Sequence, residues 1–223
     1  MFPVEIEDQA ISGVIATLPA AAVAQVAAIP GVAAAHGEVM AQNLTVVDRT
    51  NTAIGPTSGA PTLGYNWYPR AHPIAELVAG HAPTGPAQVV LDQPSAAARS
   101  VALGDPVRIV TPSGTLDAQV VGLARSSTPN PGVGLVLLDT PTAQTSLLGQ
   151  PGTVTAVTAD VAPGDTDTAV AARIRAALGA GVSVQTKHGL ARSASNSCSN
   201  MRPTRSSLST STWLGLKPSR PGA

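Results

Sequence analysis

Proline and glycine interrupt this chain at short intervals, and their frequency limits the length of any regular element. The 223 residues include 20 prolines and 21 glycines. Proline breaks the interior of a helix, and both residues favour turns. Because 43% of the residues are hydrophobic but only 2% are aromatic, small aliphatic side chains supply most of the core. The composition therefore predicts one or two small domains of short elements rather than a bundle of long helices.

The charges balance in number but not in position. There are 13 basic and 13 acidic residues, and no acidic residue follows Asp167. The segment 187–223 is a basic tail rich in Ser, Arg and Pro, without helical or strand periodicity. A basic tail can bind nucleic acid or an anionic membrane, but this composition favours disorder. We predict a disordered tail and no nucleic-acid partner.

Targeting and redox signals are few. The acidic start, MFPVEIED, lacks the positive region of a secretory signal, and no run of about 20 apolar residues predicts a membrane span. Cys198 is the only cysteine, so an internal disulfide is excluded. We expect this thiol to be exposed and inert.

The two ends of the chain before the tail show helix and strand patterns. Residues 19–29 predict an Ala-rich helix, and residues 31–48 predict two short strands. Further along, residues 153–161 and 182–185 predict strands on either side of a helix that Asp165 or Thr166 would cap. This order indicates an α+β fold.

The middle of the chain is richer in strands and turns. Residues 107–111 and 116–123 flank Pro112-Ser113-Gly114, which predicts a β-hairpin. Strands are also predicted at 88–91 and 133–138, and a helix at 140–148. We therefore predict a split α/β sandwich subdomain, residues 1–58 and 132–186, that holds an inserted β-rich subdomain, residues 59–131.

Three short motifs could be compared with catalytic or nucleotide-binding sequences. Gly132-Val133-Gly134 lacks the third glycine and the strand-to-helix setting of a dinucleotide loop, and no phosphate-binding P-loop is present. Ser58 and Ser113 lie among turn-forming residues rather than at a nucleophile elbow. We predict no catalytic residue and no cofactor.

The four histidines, His36, His72, His81 and His188, lie in separate segments. Metal ligands usually occur in closely spaced pairs, and none is present here. His72 and His81 flank a predicted helix around Glu76. We predict no metal site.

Acidic residues cluster at Asp165 and Asp167 and again at Glu5, Glu7 and Asp8. Paired carboxylates can act as acid and base when burial separates their pKa values. At a helix start they more simply accept free backbone N–H groups and meet the positive end of the dipole. We therefore interpret Asp165 and Asp167 as capping residues.

Three of the five aromatic residues, Tyr65, Trp67 and Tyr68, lie within four positions. Alternate residues of an extended segment share a face, so Tyr65 and Trp67 are expected on one side. The segment is then either a core plug between the two subdomains or an exposed surface that binds a partner, since aromatic residues concentrate binding energy. The sequence leaves both readings open.

A series of motifs between Gly59 and Arg125 resembles the extracytoplasmic domain of FtsX-like ABC transporter permeases, a MacB-like periplasmic core domain. The resemblance extends over residues 18–186. In order, the motifs are Pro61-Thr62-Leu63-Gly64 with Asn66-Trp67, Glu76 to Gly80 with Ala82-Pro83, the strand from Gln88 to Asp92, Leu103-Gly104-Asp105 and Val120-Val121-Gly122.

The resemblance implies a non-catalytic domain that binds a partner or couples its binding to export across the membrane. Its implied partners are an ABC transporter ATPase subunit, membrane segments of the permease and a protein outside the membrane. In the family the domain lies at the extracytoplasmic face of the plasma membrane, between transmembrane helices. This chain departs from that pattern, so we expect a truncated domain, cytoplasmic if it is expressed alone, whose tail reflects a change of reading frame. The alternatives are a free-standing soluble adaptor of the same fold and, less favoured, an enzyme.

Overall fold

A computed structural model describes residues 4–8, 17–69, 73–127, 132–179 and 182–186. The elements of its first half are β1 (Val4–Asp8), β2 (Leu18–Pro19), α1 (Ala21–Ala27), β3 (Val32–Glu38), β4 (Met40–Ala41), β5 (Thr45–Val47), β6 (Ala53–Ile54), β7 (Thr62–Trp67), β8 (Ala75–Gly80) and β9 (Gln88–Asp92). Those of its second half are α2 (Gln93–Ala98), β10 (Pro106–Thr111), β11 (Gly114–Ser126), β12 (Gly134–Asp139), α3 (Thr140–Leu148), β13 (Thr153–Val154), β14 (Ala156–Val161), α4 (Asp167–Leu178) and β15 (Val182–Thr186).

The first and last parts of the described chain form a four-stranded antiparallel sheet in the order β15-β1-β14-β3. Helix α1 packs against β3 and β14, and α4 packs against β15 and β1. Val26 of α1 and Ile174 of α4 are fully buried. The predicted α+β class is confirmed, because the helices cover a sheet built from distant segments.

The middle of the chain forms a nine-stranded mixed sheet. Its strands follow the order β4-β7-β12-β9-β11-β10-β5-β6, and β8 pairs with the distal part of β11. The predicted hairpin is present as β10 and β11, which are antiparallel from Pro106↔Gln119 to Thr111↔Gly114. Strands β7 and β12 run parallel, with α3 packed on β7 and β12. A third sheet pairs β2 with β13.

Strand pairing exchanges between the two large sheets at places that differ from the predicted domain boundaries. Strands β4, β5 and β6 lie before residue 58 and β12 lies after residue 132, yet all four belong to the nine-stranded sheet. The chain enters this sheet between Glu38 and Met40 and leaves it after Asp139. The division at 58 and 132 stays a prediction about domains, whereas the sheets divide at these two crossings.

Two local predictions were wrong. The segment around Glu76 is not a helix but strand β8, which pairs with β11. Residues 31–48 contain three strands rather than two, because Val39 separates β3 from β4. In both cases pairing with a distant strand determines the structure, and helix-forming residues such as Glu76, Leu77 and Ala79 do not override it.

Helix α3 has the predicted bounds, and α1 lies within the predicted 19–29. Among the described residues, no helix combines the length and apolar character needed to cross a bilayer. The predicted disordered tail, with Cys198 and His188, lies outside the described residues, as does His72.

Candidate functional site at the junction of the two sheets

The aromatic segment lies at the end of β7, on the route between the two large sheets. Tyr65 and Trp67 share one face of β7, as predicted, and both are half-buried. They pack against a second apolar cluster separate from the main core, whose buried members are Ala75, Val90, Ala124, Leu135 and Leu137. Their packing gives them a structural role, and part of each ring stays exposed.

Tyr68 follows β7 and reaches across to the four-stranded sheet. Its ring stacks on the ring of His36 in β3, with centroids 5.1 Å apart and planes inclined by 23°. Its hydroxyl lies 3.3 Å from Glu38 Oε2 and 3.3 Å from Thr158 Oγ1. Tyr68 therefore contacts β3 and β14 while belonging to the chain segment that continues the other sheet.

Asn66 is buried at the same place, with only 3% of its surface exposed. Its Oδ1 accepts a 2.8 Å hydrogen bond from the backbone N–H of Val39, and its Nδ2 donates to Gly37 O and Thr140 Oγ1, each at 3.0 Å. Its own backbone N–H donates to Val39 O at 3.2 Å. One side chain therefore joins the segment that enters the nine-stranded sheet to the start of α3, where the chain leaves it.

Thr155 also forms hydrogen bonds with the segment that enters the nine-stranded sheet, at Glu38 and Met40. Its backbone N–H and its hydroxyl both donate to Glu38 O, at 2.8 Å and 3.0 Å, and the hydroxyl accepts from the backbone N–H of Met40 at 3.1 Å. We call the set His36, Glu38, Asn66, Tyr68, Thr140 and Thr155 the sheet junction. Its contacts are few and directional, and they concentrate on the short stretch between β3 and β4.

Sequence reasoning singled out Tyr68 of this junction, together with Tyr65 and Trp67, but gave no role to Asn66. In the segment TLGYNW the alternate residues Thr62, Gly64 and Asn66 are buried, while the larger residues are half-buried. A buried face that ends in an amide is the available signal, because such a group requires hydrogen-bond partners.

The other residues considered from the sequence, where the structure describes them, do not gather into a catalytic or metal site. His81 is exposed, with Nδ1 2.8 Å from Ala82 O, whereas His36 lies in the junction. Ser58 Oγ donates to Gly132 O at 3.1 Å, and the backbone N–H of Ser113 donates to Thr111 Oγ1 at 3.2 Å. Within the described ranges, no group of three or more His, Cys, Asp or Glu residues is placed to hold a metal ion.

Asp165 and Asp167, at the start of α4, do not both have the predicted capping role. Thr166 is the N-cap residue, and its side chain accepts from the backbone N–H of Ala169 at 3.3 Å. Asp167 lies in the first turn, where its charge suits the helix dipole. Asp165 does not cap: it forms an ion pair with Arg173 at 2.9 Å, because its side chain points towards the loop after α1, where Arg173 Nη1 also binds Pro30 O.

Two surface carboxylates, those of Asp48 and Asp117, have lowered pKa values. The hydroxyl of Thr50 and the backbone N–H groups of Thr52 and Thr50 donate to Asp48 and hold the pKa of its carboxyl below the ordinary aspartate range. The hydrogen bond from Arg108 likewise lowers the pKa of Asp117. Both groups stabilise exposed turns and strands rather than a reactive centre.

Three solved structures with the same fold are domains of ABC-type transporters or permeases. The periplasmic region of MacB from Actinobacillus actinomycetemcomitans aligns with a TM-score of 0.59 and 10% identity, over 88% of this chain and 94% of that structure. The extracellular domain of the noncanonic ABC-type transporter YknZ from Gram-positive bacteria gives 0.61 and 13%, over 82% and 99%. A domain of a putative permease protein from Porphyromonas gingivalis gives 0.52 and 14%, over 83% and 86%.

The sequence itself identifies the family. The model of the MacB-like periplasmic core domain matches residues 3–177, which is more than half of the chain. The chain therefore belongs to the MacB-like periplasmic core domain family, and the predicted resemblance is confirmed. It corresponds to the extracytoplasmic domain of a MacB- or FtsX-like ABC transporter. No curated protein matches the chain.

Proposed function

We propose that this domain couples the binding of a protein or substrate outside the membrane to the cycle of an ABC transporter ATPase, without bond chemistry of its own. The observation that carries the proposal is the sheet junction, where single side chains join the two large sheets. Coupling requires two arrangements with different affinities for a ligand. A junction of few directional contacts can exchange between such arrangements while both sheets stay intact.

The position of the junction supports this role. Asn66 and Thr155 hold the entering segment at Val39 and Glu38, and Asn66 also holds the start of α3 at Thr140. A shift of the nine-stranded sheet relative to the four-stranded sheet would therefore strain these hydrogen bonds, which lie beside the apolar core that the two sheets share. The family resemblance implies that an ATPase subunit and the membrane segments of the permease drive such a shift.

The half-exposed faces of Tyr65 and Trp67, next to Tyr68, are the proposed contact for a protein partner. Aromatic side chains contribute a large share of interface energy when they become fully buried. Because Trp67 also packs against the second apolar cluster, its replacement by alanine tests the plug and the partner surface together. A lowered melting temperature supports the plug, whereas lost partner binding at an unchanged melting temperature supports the surface.

The coupling proposal is tested in the intact transporter that carries this domain, reconstituted with its ATPase. Asn66→Asp retains the size of the side chain but replaces the donor to Gly37 O by a second acceptor. We expect ATP hydrolysis to continue while transport, or stimulation of hydrolysis by the partner, declines. Gln42→Ala, at an exposed position beside β4, is the matched control. Normal transport by a folded Asn66→Asp transporter would contradict the proposal.

A further inference from the structure

A cavity of about 370 Å³ lies between the loop after β6 and the segment that leads into β12. Thr57, Ser58, Gly132 and Val133 are among the residues that line it. The Ser58 turn and the Gly132-Val133 segment, both considered above as possible functional motifs, therefore line the same cavity. None of the residues of the sheet junction lines it.

Glycine allows these two segments to approach closely. A Cβ atom on Gly132, whose φ is +81°, would lie 2.5 Å from Ser58 Oγ. A Cβ atom on Gly134 would lie 2.8 Å from Thr62 Oγ1 and 3.1 Å from Pro56 Cδ. A larger residue at either position would require the side chains of Ser58, Thr62 or Pro56 to shift, and Ser58 Oγ also donates to Gly132 O at 3.1 Å. The two glycines thus allow the loop to lie close to the start of β12.

The carboxylate of Asp92 fixes the base of the cavity. It is 7% exposed, and its two oxygens accept hydrogen bonds from Ser95 N at 2.9 Å and Leu135 N at 2.8 Å. Since each carboxylate oxygen accepts a hydrogen bond from a backbone N–H, Asp92 holds α2 against β12. The apolar lining from Pro94, Ala98 and Leu135 is thereby held in place.

Arg125, near the end of β11, supplies a cation at the edge of the cavity. Its Nη2 donates to Gln93 Oε1 at 3.1 Å, which orients the guanidinium. The ion pairs between described residues join Arg49 to Asp105, Arg108 to Asp117 and Arg173 to Asp165, so none involves Arg125. Glu76 is its partner in the β8–β11 register but forms no ion pair with it.

We propose that this cavity binds a small organic carboxylate, with the carboxylate on Arg125 and the apolar body against Pro94, Ala98 and Leu135. A guanidinium presents a planar fork of N–H donors that matches a carboxylate. The volume lies in the usual range of small-molecule sites, which combine apolar walls with a few polar groups. The proposal is independent of the coupling role, because the cavity and the sheet junction share no lining residue.

The test is an NMR titration of the full chain with benzoate and with benzamide, which has nearly the same shape but no charge. We expect benzoate to shift the amide signals of Ser58, Ser95 and Val133 saturably, with a dissociation constant on the order of 1 mM. Benzamide is expected to bind about tenfold more weakly. Equal affinity for the two probes, or no saturable shift with benzoate, would overturn the proposal.

Variants assign the binding to the cavity. Arg125→Gln should weaken benzoate binding about tenfold and leave benzamide unaffected. Arg99→Gln, which removes an exposed arginine outside the lining, is the matched control and should change neither. Ala98→Leu narrows the cavity from an exposed position and should weaken both probes. Unchanged benzoate binding in Arg125→Gln or Ala98→Leu, with folding verified by thermal unfolding, counts against the site.

Discussion

The ring of Tyr68 lies on the ring of His36, with centroids 5.1 Å apart, so a residue that continues β7 is packed on a strand of the other large sheet. The same tyrosine places its hydroxyl 3.3 Å from the carboxylate of Glu38. Stacked pairs of this kind favour one relative placement of their supporting segments. Tyr68 therefore contributes to the alignment of the two sheets as well as to packing.

A double-mutant cycle on Tyr68→Leu and His36→Leu measures this contact. We expect a coupling free energy of about 0.5–1.5 kcal/mol, the usual range for an aromatic pair. Urea unfolding of the four proteins gives the value. Tyr68→Phe retains the ring, so it should lose only the hydroxyl contribution of about 1 kcal/mol. A coupling energy of zero would show that the stacked geometry adds nothing to stability.

Replacement of Asn66 by alanine should be more costly. The change leaves the backbone N–H of Val39 and the carbonyl of Gly37 without their partner in a buried region. We expect the free energy of unfolding to fall by about 2–4 kcal/mol, since each buried unsatisfied group costs about 1–3 kcal/mol. Gln42→Ala, at an exposed position, should change stability by less than about 0.5 kcal/mol. Similar losses of unfolding free energy in the two variants would contradict the stabilising role of the Asn66 hydrogen bonds.

Asp92 and Asp139 offer a matched comparison, because each caps a helix that follows a strand. Asp139 accepts only from Thr142 N, at 3.3 Å, whereas Asp92 accepts from Ser95 N and also from Leu135 N. Asp139→Ala should cost about 1 kcal/mol, the typical value of an N-cap. Asp92→Ala should cost about 2–4 kcal/mol, because Leu135 N also loses its acceptor. Chemical denaturation of both variants tests the order, and a larger loss for Asp139→Ala would refute it.

Local signals predicted the elements that depend mainly on nearby residues. The β10–β11 hairpin follows from Pro112-Ser113-Gly114, and α3 begins where Asp139 and Pro141 provide a cap and a helix start. The prediction for the segment that forms β8 was wrong because Glu76 to Ala79 contains good helix formers. Its pairing with β11, including a register shift between Leu123 and Ala124, comes from tertiary structure.

Residues of the site divide in the same way. Tyr65, Trp67 and Tyr68 could be selected from the sequence because aromatic residues are rare in this chain. The role of Asn66 depends on Val39 and Thr140, which are distant in sequence, so no spacing reveals it. The sequence also did not predict that β12 belongs to the larger sheet, because the residues of a buried apolar strand do not indicate which strands it pairs with.

The carboxylate of Asp48 should titrate below the ordinary aspartate range. Its folded pKa is lowered by the Thr50 hydroxyl first and then by backbone N–H donors. Its contribution to stability is therefore complete above the unfolded pKa and is lost as the pH falls through the folded pKa. Carboxyl NMR titration should show a higher midpoint for Asp48 in Thr50→Val. Arg108→Gln should raise the midpoint of Asp117 and leave Asp48 unchanged. An unshifted Asp48 in Thr50→Val would disprove the assigned cause.

Replacing Gly80 and Gly104 by alanine distinguishes two free-energy costs of a side chain at positive φ: the backbone strain and the steric clash with neighbouring atoms. Their φ values are +75° and +90°, so alanine is strained at both positions. A Cβ atom on Gly80 would lie 2.1 Å from the carbonyl oxygen of Val121. A Cβ atom on Gly104 would have no atom within 4 Å apart from those of its own residue and its two chain neighbours. We expect Gly104→Ala to cost about 1 kcal/mol, the conformational term alone, and Gly80→Ala to cost about 3 kcal/mol or more, since β8 must move away from β11. Thermal and urea unfolding of the two variants measure the difference, and equal losses would show that β8 yields without cost.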